Sequence, residues 1–535
     1  MKKASIITAI ALFFALPMWG QNVIDALPYI SSQVKGTARY SAMGGAFGAL
    51  GGEITSIRQN PAGIGVYRTS EVSATASFNI YDNTVTSRSK INRNGDYYFT
   101  GDNMGVVGVI NLKNGVLRNL NFGFAYNNVS SFDNRYRGEW NGIESSMSNT
   151  IAAATSAGNY IPSDLLITNS YNPYNTDRGI PWMSILAYNN NLITTKTNPN
   201  STYDAIFHPG VSSGNAYIEN HCVGNIEEYD FNISGNVLDK FYWGLTLNMT
   251  TITYKINSYH GEVLQNAFLI DNRDNNSTVT TVNGSMELQN VVNTTGNGMG
   301  VKLGLLYRPI DFLRIGVAVH TPTFYKMSDS YYANLTYQFK DSKGSTYKGD
   351  GKDRNNQTDL GHYSYNYISP WHYMASVACV LGKSAILSVD YEVTDTQGMY
   401  YSDIYSSFDG TNSDIADMTR CLHNVRVGAE YRITPLFSLR AGYAYESSPM
   451  DRIFYDGLET LISHSTMLNY LIPGEAHNIS CGLGYRVNNI FVDAAYVYRT
   501  QNYRLFNYVY DCANYGRTDM LTNNHSLKIT VGYRF

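Results

Sequence analysis

The chain has 535 residues, with 39 Lys and Arg residues against 43 Asp and Glu residues and a net charge of -4. This balance gives no concentrated basic surface, so nucleic acid is excluded as an expected partner. Only 15% of the residues are charged and 45 are tyrosine, which suits a membrane barrel whose amphipathic rings form girdles at the headgroup layers.

The first 20 residues have the three parts of a secretory signal peptide. Lys2 and Lys3 precede an apolar run over residues 6–16, and the small residue Gly20 follows. This order of charged, apolar and small regions is typical of such peptides, so we predict export of the chain. No later run reaches the roughly 18 apolar residues of a membrane helix. Any crossing of a membrane therefore has to use strands.

Residues 21–69 are predicted to form a hatch inside the barrel, on its periplasmic side. Their central part, GTARYSAMGGAFGALGGEITSIRQNPAGIGVY, is rich in glycine and alanine. Glycines such as Gly44 and Gly45 also occur in phosphate-binding loops, but the order of strand, glycines and helix with a following acidic residue is missing here. Small residues favour close packing against a wall. We therefore expect a plug and no cofactor.

From residue 70 to residue 535 the chain repeatedly alternates apolar and polar residues. Successive side chains of a strand point to opposite faces, so each alternating segment has one apolar and one polar face. Fourteen such segments occur, an even number that suits a closed outer-membrane barrel. They span residues 70–81, 103–112, 119–128, 226–237, 241–254, 298–308, 312–324, 370–381, 385–396, 423–432, 437–446, 476–486, 490–501 and 525–535.

The connections between these segments alternate in length. Those after the even-numbered segments are short and the others are long. Outer-membrane barrels have short periplasmic turns and long external loops, whereas a soluble sandwich has no reason to sort its loops in this way. We therefore predict an all-β transmembrane antiparallel barrel in the outer membrane, with both mature termini in the periplasm. The last strand then pairs with the first, because lipid does not tolerate an open edge.

Two long external loops carry more apolar residues than exposed loops usually do. Because exposed apolar patches mark binding surfaces, we predict that these loops capture a hydrophobic ligand. A competing interpretation is that they fold into a small core that caps the barrel. Ile143, Met147 and Ile151, spaced by four, predict a short helix in the first of these loops. The capture candidates are Trp182, Ile185, Leu186, Leu468, Tyr470 and Leu471.

Charges of both signs lie on the lumen-facing side of the strands, and we expect them to pair and to hold plug and wall together. His362 lies near Ser364, but catalysis needs a nucleophile, a base and an orienting group in mutual reach. His221 and Cys222 are too few ligands for zinc. We therefore predict neither an enzyme nor a metal site. The lumenal charges include Asp390, Arg426, Glu430, Arg440, Glu446 and Asp493.

The segment before the first strand carries a resemblance to a known family. Its small-residue run from Arg39 to Ala46, followed by Asn60-Pro61-Ala62 just before the first strand, resembles the hatch of the FadL/TodX (OMPP1) family of outer-membrane hydrophobic-compound transporters. Members of that family are similar in having a signal peptide, a hatch and a fourteen-stranded barrel. The chain departs from them at Gly51-Gly52-Glu53, where members often have an acidic pair. Gating here is therefore expected to differ.

This resemblance implies a function. It implies passive uptake of hydrophobic small molecules such as long-chain fatty acids, through loop capture, hatch rearrangement and lateral exit into the bilayer. The ending on Phe535 also resembles that of bacterial outer-membrane proteins, in which it is read by the barrel-assembly machinery. Two alternatives stay open, an interaction barrel in secretion or surface attachment and a haem-related receptor, because fold does not fix function. The implied hatch and gating residues are Gly44, Gly45, Asn60, Pro61 and Ala62.

Overall fold

Fourteen strands close into an antiparallel barrel in the computed structural model of the chain. Leu468, Cys512 and the predicted signal peptide lie outside the described residues. The structure describes residues 21–30, 33–87, 90–112, 115–176, 179–195, 202–273, 278–382, 384–404, 407–452, 469–506 and 518–535.

Each barrel strand pairs antiparallel with the next along the chain, and the last pairs with the first. Every strand is therefore joined to both of its neighbours along at least part of its length, and three strands are each built of two pieces. The strands are β1 Glu71–Thr86, β2 Ile91–Asn111, β3 Leu117–Ser131, β4 Ser213–Val237, β5 Phe241–Leu269, β6 Thr280–Ile310, β7 Leu313–His320 with Phe324–Asp341, β8 Gly361–Ile368 with His372–Leu381, β9 Ala385–Thr394 with Tyr400–Ser402, β10 Leu422–Arg432, β11 Phe437–Glu446, β12 Tyr470–Val487, β13 Ile490–Phe506 and β14 Asp519–Arg534.

The number and order of the strands confirm the sequence prediction, but several boundaries differ. The structure extends β4 to Ser213 and β5 to Leu269, whereas alternation marks only residues 226–237 and 241–254. The added parts lie on the side of the long connections, beyond the lipid band, where no lipid requires an apolar face. The alternation of apolar and polar residues therefore predicts the membrane-embedded part of a strand but not the part that extends beyond the membrane.

The closing strand shows why the chain ends on strict alternation. Leu527, Ile529 and Val531 are each about half exposed, at 51%, 49% and 53%, and they face the lipid side of the barrel. Lys528 and Thr530 between them are buried on the lumenal side. The paired register joins β14 to β1 along its whole length.

The N-terminal segment, residues 21–69, packs inside the barrel and is called the hatch below. It consists of short helical turns rather than strands, and most of its described residues are buried. Its α-helical turns are α1 Val23–Ala26, α2 Ala38–Ala42 and α3 Ser56–Gln59, and its 3-10 turns are Leu27–Ile30 and Pro61–Val66.

The long connections fold into a cap over one end of the barrel. Its apolar core joins helices and strand extensions. The helix predicted from Ile143, Met147 and Ile151 is present as α4, Met147–Ala157, which begins after Ile143. No helix of the described residues is long and apolar enough to cross a bilayer. The further helices are α4 Met147–Ala157, α5 Pro162–Leu165, α6 Trp182–Asn189 and α7 Asp409–Met418, with 3-10 turns at Pro173–Asn175, Arg354–Asn356 and Thr396–Gly398 and short strands at Asn134–Asn141, Ile193–Thr194, Asp204–Ala205 and Thr346–Asp350.

Candidate functional site

The hatch meets the barrel wall backbone to backbone. Gly44 has a φ of 62°, a left-handed conformation that glycine adopts without a steric penalty. On the wall, a Cβ atom added to Gly442 would lie 2.1 Å from the backbone nitrogen of Gly44. Side chains at either position would push the hatch away from β11. The small residues of the hatch are therefore explained by close approach to the wall.

Asn60 connects the end of the hatch to both the hatch interior and the wall. Its amide Nδ2 donates to the carbonyl oxygens of Gly48 at 2.6 Å and Leu305 at 3.3 Å. Its Oδ1 accepts from the backbone N–H of Ala62 at 3.1 Å and so caps the 3-10 turn that begins at Pro61. The motif Asn-Pro-Ala is thus a capped turn that is also bonded to β6.

Further polar contacts fix the hatch to strands β9 and β10 of the wall. The carboxylate of Asp390 accepts from the backbone N–H of Gly48 at 2.8 Å and from Gln59 Nε2 at 3.0 Å. Gln59 Nε2 also donates to the carbonyl oxygen of Gly45 at 2.8 Å. Arg39 pairs with Glu430 at 2.9 Å. Together with Asn60, these contacts bond the hatch to three strands of the wall, β6, β9 and β10.

Five of the six lumenal charges predicted to pair do form ion pairs, whereas Asp390 accepts hydrogen bonds from the hatch. Glu430 and Asp493 both pair with Arg440, at 2.6 and 2.5 Å. The remaining pairs join Arg426 to Glu392 at 2.6 Å and Arg499 to Glu446 at 3.1 Å.

Glu53 is the acidic residue of the hatch at the position where the chain departs from the family pattern. It is 4% exposed and accepts from Thr37 Oγ1 at 2.5 Å and from the backbone N–H of Thr55 at 2.9 Å. Burial raises the pKa of this carboxyl to about 7, although its hydrogen bonds act in the opposite direction. Glu53 therefore joins two turns of the hatch by hydrogen bonds to Thr37 and Thr55. It does so as a single acidic residue and not as a member of the acidic pair found in the family.

An apolar cavity of about 230 Å³ lies between the first turns of the hatch and the barrel wall. From the hatch, Ile24, Leu27 and Tyr29 line it, and from the wall Tyr254 and Val292 do so. Ligand sites are typically concave and apolar with a few polar groups. The polar groups here include Arg499 and Glu446.

The barrel wall is split beside this cavity. The ladder between β2 and β3 ends at the pair Asn103 and Asn127, although β2 continues to pair with β1 as far as Ile91. Residues 91–102 of β2 therefore have a strand partner on one side only. Tyr98, which lines the cavity, lies in this part of β2, which pairs with β1 but not with β3.

The split arises because β3 bends into the lumen. An extra residue, Val129, interrupts its register with β4, and beyond the bend the backbone N–H of Phe132 donates to the carbonyl oxygen of Gly224 at 2.8 Å. Gly224 has a φ of 122°, which favours glycine. The next strand, Asn134–Asn141, then lies behind β1, where Asn83 Nδ2 donates to the carbonyl oxygen of Arg135 at 2.7 Å.

Aromatic rings line the passage from the bend to the cavity. The ring of Phe132 lies 5.1 Å from that of Tyr254 and 6.4 Å from that of Tyr29, as measured between ring centroids. All three residues line the cavity. Apolar surface thus extends from the cavity to the split in the wall.

The predicted capture residues are placed in two different regions. Tyr470 and Leu471 line the cavity. Ile185 and Leu186 are fully buried in the core of the cap, and Trp182 packs against that core. A role of these five residues in capture stays a prediction.

Sequence reasoning missed two parts of the site. The first is the turn VIDALPYI, residues 23–30, which the sequence analysis places in the plug without predicting that it lines a cavity. Its run of aliphatic residues is unusual for a polar lumen and is a signal that could have indicated this. The bend of β3 has a weaker signal, the loss of alternation at Val129 and Ser130. Among the described residues, no group of three or more His, Cys, Asp or Glu side chains is placed to hold a metal ion.

A closed fourteen-stranded barrel with a hatch in its lumen is the architecture of a channel-type outer-membrane protein. The model of the family described as outer membrane protein transport protein (OMPP1/FadL/TodX) matches residues 222–535. The chain belongs to this family, as the resemblance of its hatch predicts. The family is one of transport proteins, so the chain is not an enzyme.

One solved structure supports the fold, and a second is similar at a lower score. A Pseudomonas aeruginosa FadL homologue is 13% identical with a TM-score of 0.51, and the match covers 94% of this chain and 99% of the homologue. The P. putida toluene transporter TodX is 10% identical with a TM-score of 0.48, and the match covers 94% of this chain and 99% of TodX. A comparison with curated proteins finds no match.

Proposed function

We propose that the protein carries hydrophobic small molecules across the outer membrane by passive diffusion, and that the apolar cavity is its binding site. The observation that carries this proposal is the position of the cavity, between the first turns of the hatch and the split in the wall. A molecule bound there has contact with apolar and aromatic side chains on both sides. The resemblance to the family adds long-chain fatty acids as candidate cargo.

Entry is proposed to begin at the cap. Tyr470 and Leu471 belong both to the loop side of β12 and to the lining of the cavity, so they offer a ligand a continuous apolar path inward. Trp182 packs against the cap core beside Tyr174, with ring centroids 5.1 Å apart. Transient opening of the cap around these rings would admit a ligand.

Exit is proposed to be lateral, through the split between β2 and β3. An apolar molecule that leaves there enters the bilayer without crossing water, which the hydrophobic effect favours. The periplasmic end of the barrel is filled by the hatch, whose contacts through Asn60 and Asp390 oppose a straight passage. A rearrangement of the first hatch turns would connect the cavity to the split.

Orientation and partners complete the proposal. Because outer-membrane barrels have short turns on the periplasmic side, the proposed orientation has the hatch and Phe535 in the periplasm and the cap outside the cell. The lipid-facing side chains then contact outer-membrane lipid, and the last strand is the contact for the barrel-assembly machinery.

Filling the cavity tests the proposal. Val292 is 1% exposed and lines the cavity, so Val292→Trp should occupy the ligand's volume. We expect uptake of labelled 1-decanol and decanoate by cells that lack other transporters to fall at least tenfold. Overpacking costs about 1–3 kcal/mol, so the folded barrel should survive, as checked by its heat-dependent mobility on a denaturing gel.

The matched control is Val531→Trp, which makes the same change on the lipid face of β14, where Val531 is 53% exposed. Uptake should stay at the wild-type level in this variant. Normal uptake of both probes by a folded Val292→Trp barrel would show that the cargo does not pass through the cavity.

A further inference from the structure

The charges that line the cavity are mainly negative. Asp25, Asp133 and Glu446 contribute carboxylates, whereas Arg499 is the one cationic side chain among the described residues of the lining. The hatch lysine Lys35 does not line the cavity, and its ammonium group donates to Asn128 at 3.0 Å. A ligand in the cavity therefore faces more carboxylates than cations.

Arg499 already donates hydrogen bonds to two side chains of the protein. Its Nη2 donates to Glu446 at 3.1 Å and to Gln501 at 3.0 Å. The side chain of Glu446 is 5% exposed and that of Arg499 is 12% exposed. A carboxylate ligand that displaced Glu446 would leave a buried carboxylate unpaired, which is costly. One that approached Arg499 without displacing Glu446 would lie beside the Glu446 carboxylate, and like charges at close range repel.

The ion pair of Arg499 and Glu446 leaves one hydrogen-bond donor and one acceptor without a partner among the described residues. One nitrogen of Arg499, Nη1, and one oxygen of Glu446, Oε2, are buried without a hydrogen-bond partner. Buried polar atoms without partners are unfavourable. A small shift toward a ligand would give the nitrogen an acceptor and the oxygen a donor. A hydroxyl group supplies both, whereas an ionised carboxylate can only accept.

Carboxylates also lie near the hatch side of the cavity, around Tyr29. Burial, followed by the nearby carboxylate of Asp329, raises the pKa of the Tyr29 hydroxyl well above its usual value. Asp25 adds in the same direction. An anion placed beside Tyr29 would experience the same unfavourable interaction.

Building on the proposed function, we infer that the cavity selects an uncharged amphiphile, an apolar molecule with a hydroxyl group as its polar end, over a fatty-acid anion. The ion pair of Arg499 and Glu446 binds the hydroxyl group, and the rings of Tyr29, Phe132 and Tyr254 hold the apolar part. The volume of about 230 Å³ lies below the roughly 300–1,000 Å³ of drug-sized ligand sites, so the ligand is small.

Two ligands of equal chain length separate charge from hydrophobicity. We would measure the binding of 1-decanol and of decanoate to the detergent-solubilised full-length protein at pH 8 by native mass spectrometry and calorimetry. We expect 1-decanol to bind at least tenfold more tightly than decanoate. Glu446→Gln should reduce this ratio about tenfold, because it removes a carboxylate and releases Arg499 from its ionic partner.

Asp133→Asn provides a second variant in case Glu446→Gln does not fold, and it should also shift the ratio toward decanoate. Glu392→Gln is the matched control. Glu392 is likewise a buried glutamate that pairs with an arginine, Arg426 at 2.6 Å, but it does not line the cavity. The ligand ratio should therefore stay at the wild-type value in this control.

The outcomes distinguish the two proposals. Tighter binding of decanoate than of 1-decanol by the wild-type protein would overturn the preference for an uncharged ligand and leave the proposed uptake intact. An unchanged ratio in both Glu446→Gln and Asp133→Asn would also overturn it. Failure of the wild-type protein to bind either ligand would count against the proposed function and this inference together.

Discussion

Asn60 joins the hatch to the barrel wall through one side-chain amide. Its Nδ2 has two carbonyl acceptors and its Oδ1 has one N–H donor, and the residue is fully buried. An amide satisfies this set because it carries donors and an acceptor on one planar group. A carboxylate of the same shape has no donor for the carbonyl oxygens of Gly48 and Leu305.

Asn60→Asp should therefore loosen the hatch. The change places a buried carboxylate against two carbonyl oxygens, at a cost on the order of 3 kcal/mol. We expect amide hydrogen exchange of residues 36–67 to accelerate at least tenfold, and the ionic conductance of the protein in planar bilayers to rise.

Asn79→Asp controls for the chemistry of the change. Asn79 is also buried, but it lies on β1 and its amide bonds to Ser77 at 3.1 Å rather than to the hatch. Hatch exchange and conductance should remain near the wild-type values. Equal effects of the two variants would show that Asn60 has no special part in holding the hatch.

At the scale of the element, the bend of β3 determines the position of the split in the wall. Its first part pairs with both β2 and β4, but after Asn127 it keeps only the pairing with β4, and the extra residue Val129 follows two positions later. The following strand, Asn134–Asn141, continues along β4 and inside β1. A single extra residue thus changes which neighbours the chain can reach, as expected for a bulge.

Deleting Val129 should close the split. The residues on either side, Asn128 and Ser130, already pair with the consecutive residues Glu227 and Ile226, so the deletion removes the bulge without shifting the register elsewhere. If exit is lateral, we expect uptake of 1-decanol to fall at least tenfold while binding to the cavity persists.

Val129→Ala keeps the residue count and therefore the bulge. Its uptake should resemble that of the wild type, which separates the loss of the bulge from the loss of a side chain. Undiminished uptake by a folded deletion variant would argue for an exit elsewhere in the barrel.

At the scale of the whole molecule, one seam closes the barrel. Residues Glu71–Thr86 pair with the whole of β14, so the first and last strands depend on each other. Phe535 lies just beyond this ladder. It is 63% exposed, its backbone N–H donates to the carbonyl oxygen of Ser70 at 3.0 Å, and its ring stacks on that of Tyr533.

Deleting Phe535 should impair assembly far more than stability. The deletion removes one hydrogen bond and an exposed ring, which together contribute on the order of 1 kcal/mol. If Phe535 is the assembly signal, the amount of folded protein in the outer membrane should drop severalfold. The unfolding of the purified variant by urea should change little.

Replacing Phe535 with Tyr retains a terminal aromatic ring and should restore assembly. An equal loss of membrane-inserted protein and of urea resistance in the deletion variant would instead indicate a structural role in the seam.

The alternation of Leu527, Ile529 and Val531 was enough to predict a strand with one lipid-facing side. Fourteen such patterns, with short and long connections in turn, predicted the barrel and its order. These are local properties, because a side chain's face is fixed by its position in its own strand. The Asn-Pro-Ala motif contributed through its resemblance to the hatch of the family, and the structure shows it as a turn capped by Asn60.

Only the tertiary structure decided where the site is. Tyr29, Tyr254 and Tyr470 are far apart in the sequence, and they come together around the cavity only when the barrel closes over the hatch. The split beside Phe132 depends on which neighbour β3 loses, and the lining charges depend on the register of β11 and β13. Sequence alone thus determined the barrel through its short-range periodicity, whereas long-range pairing created the cavity, its charge and its opening.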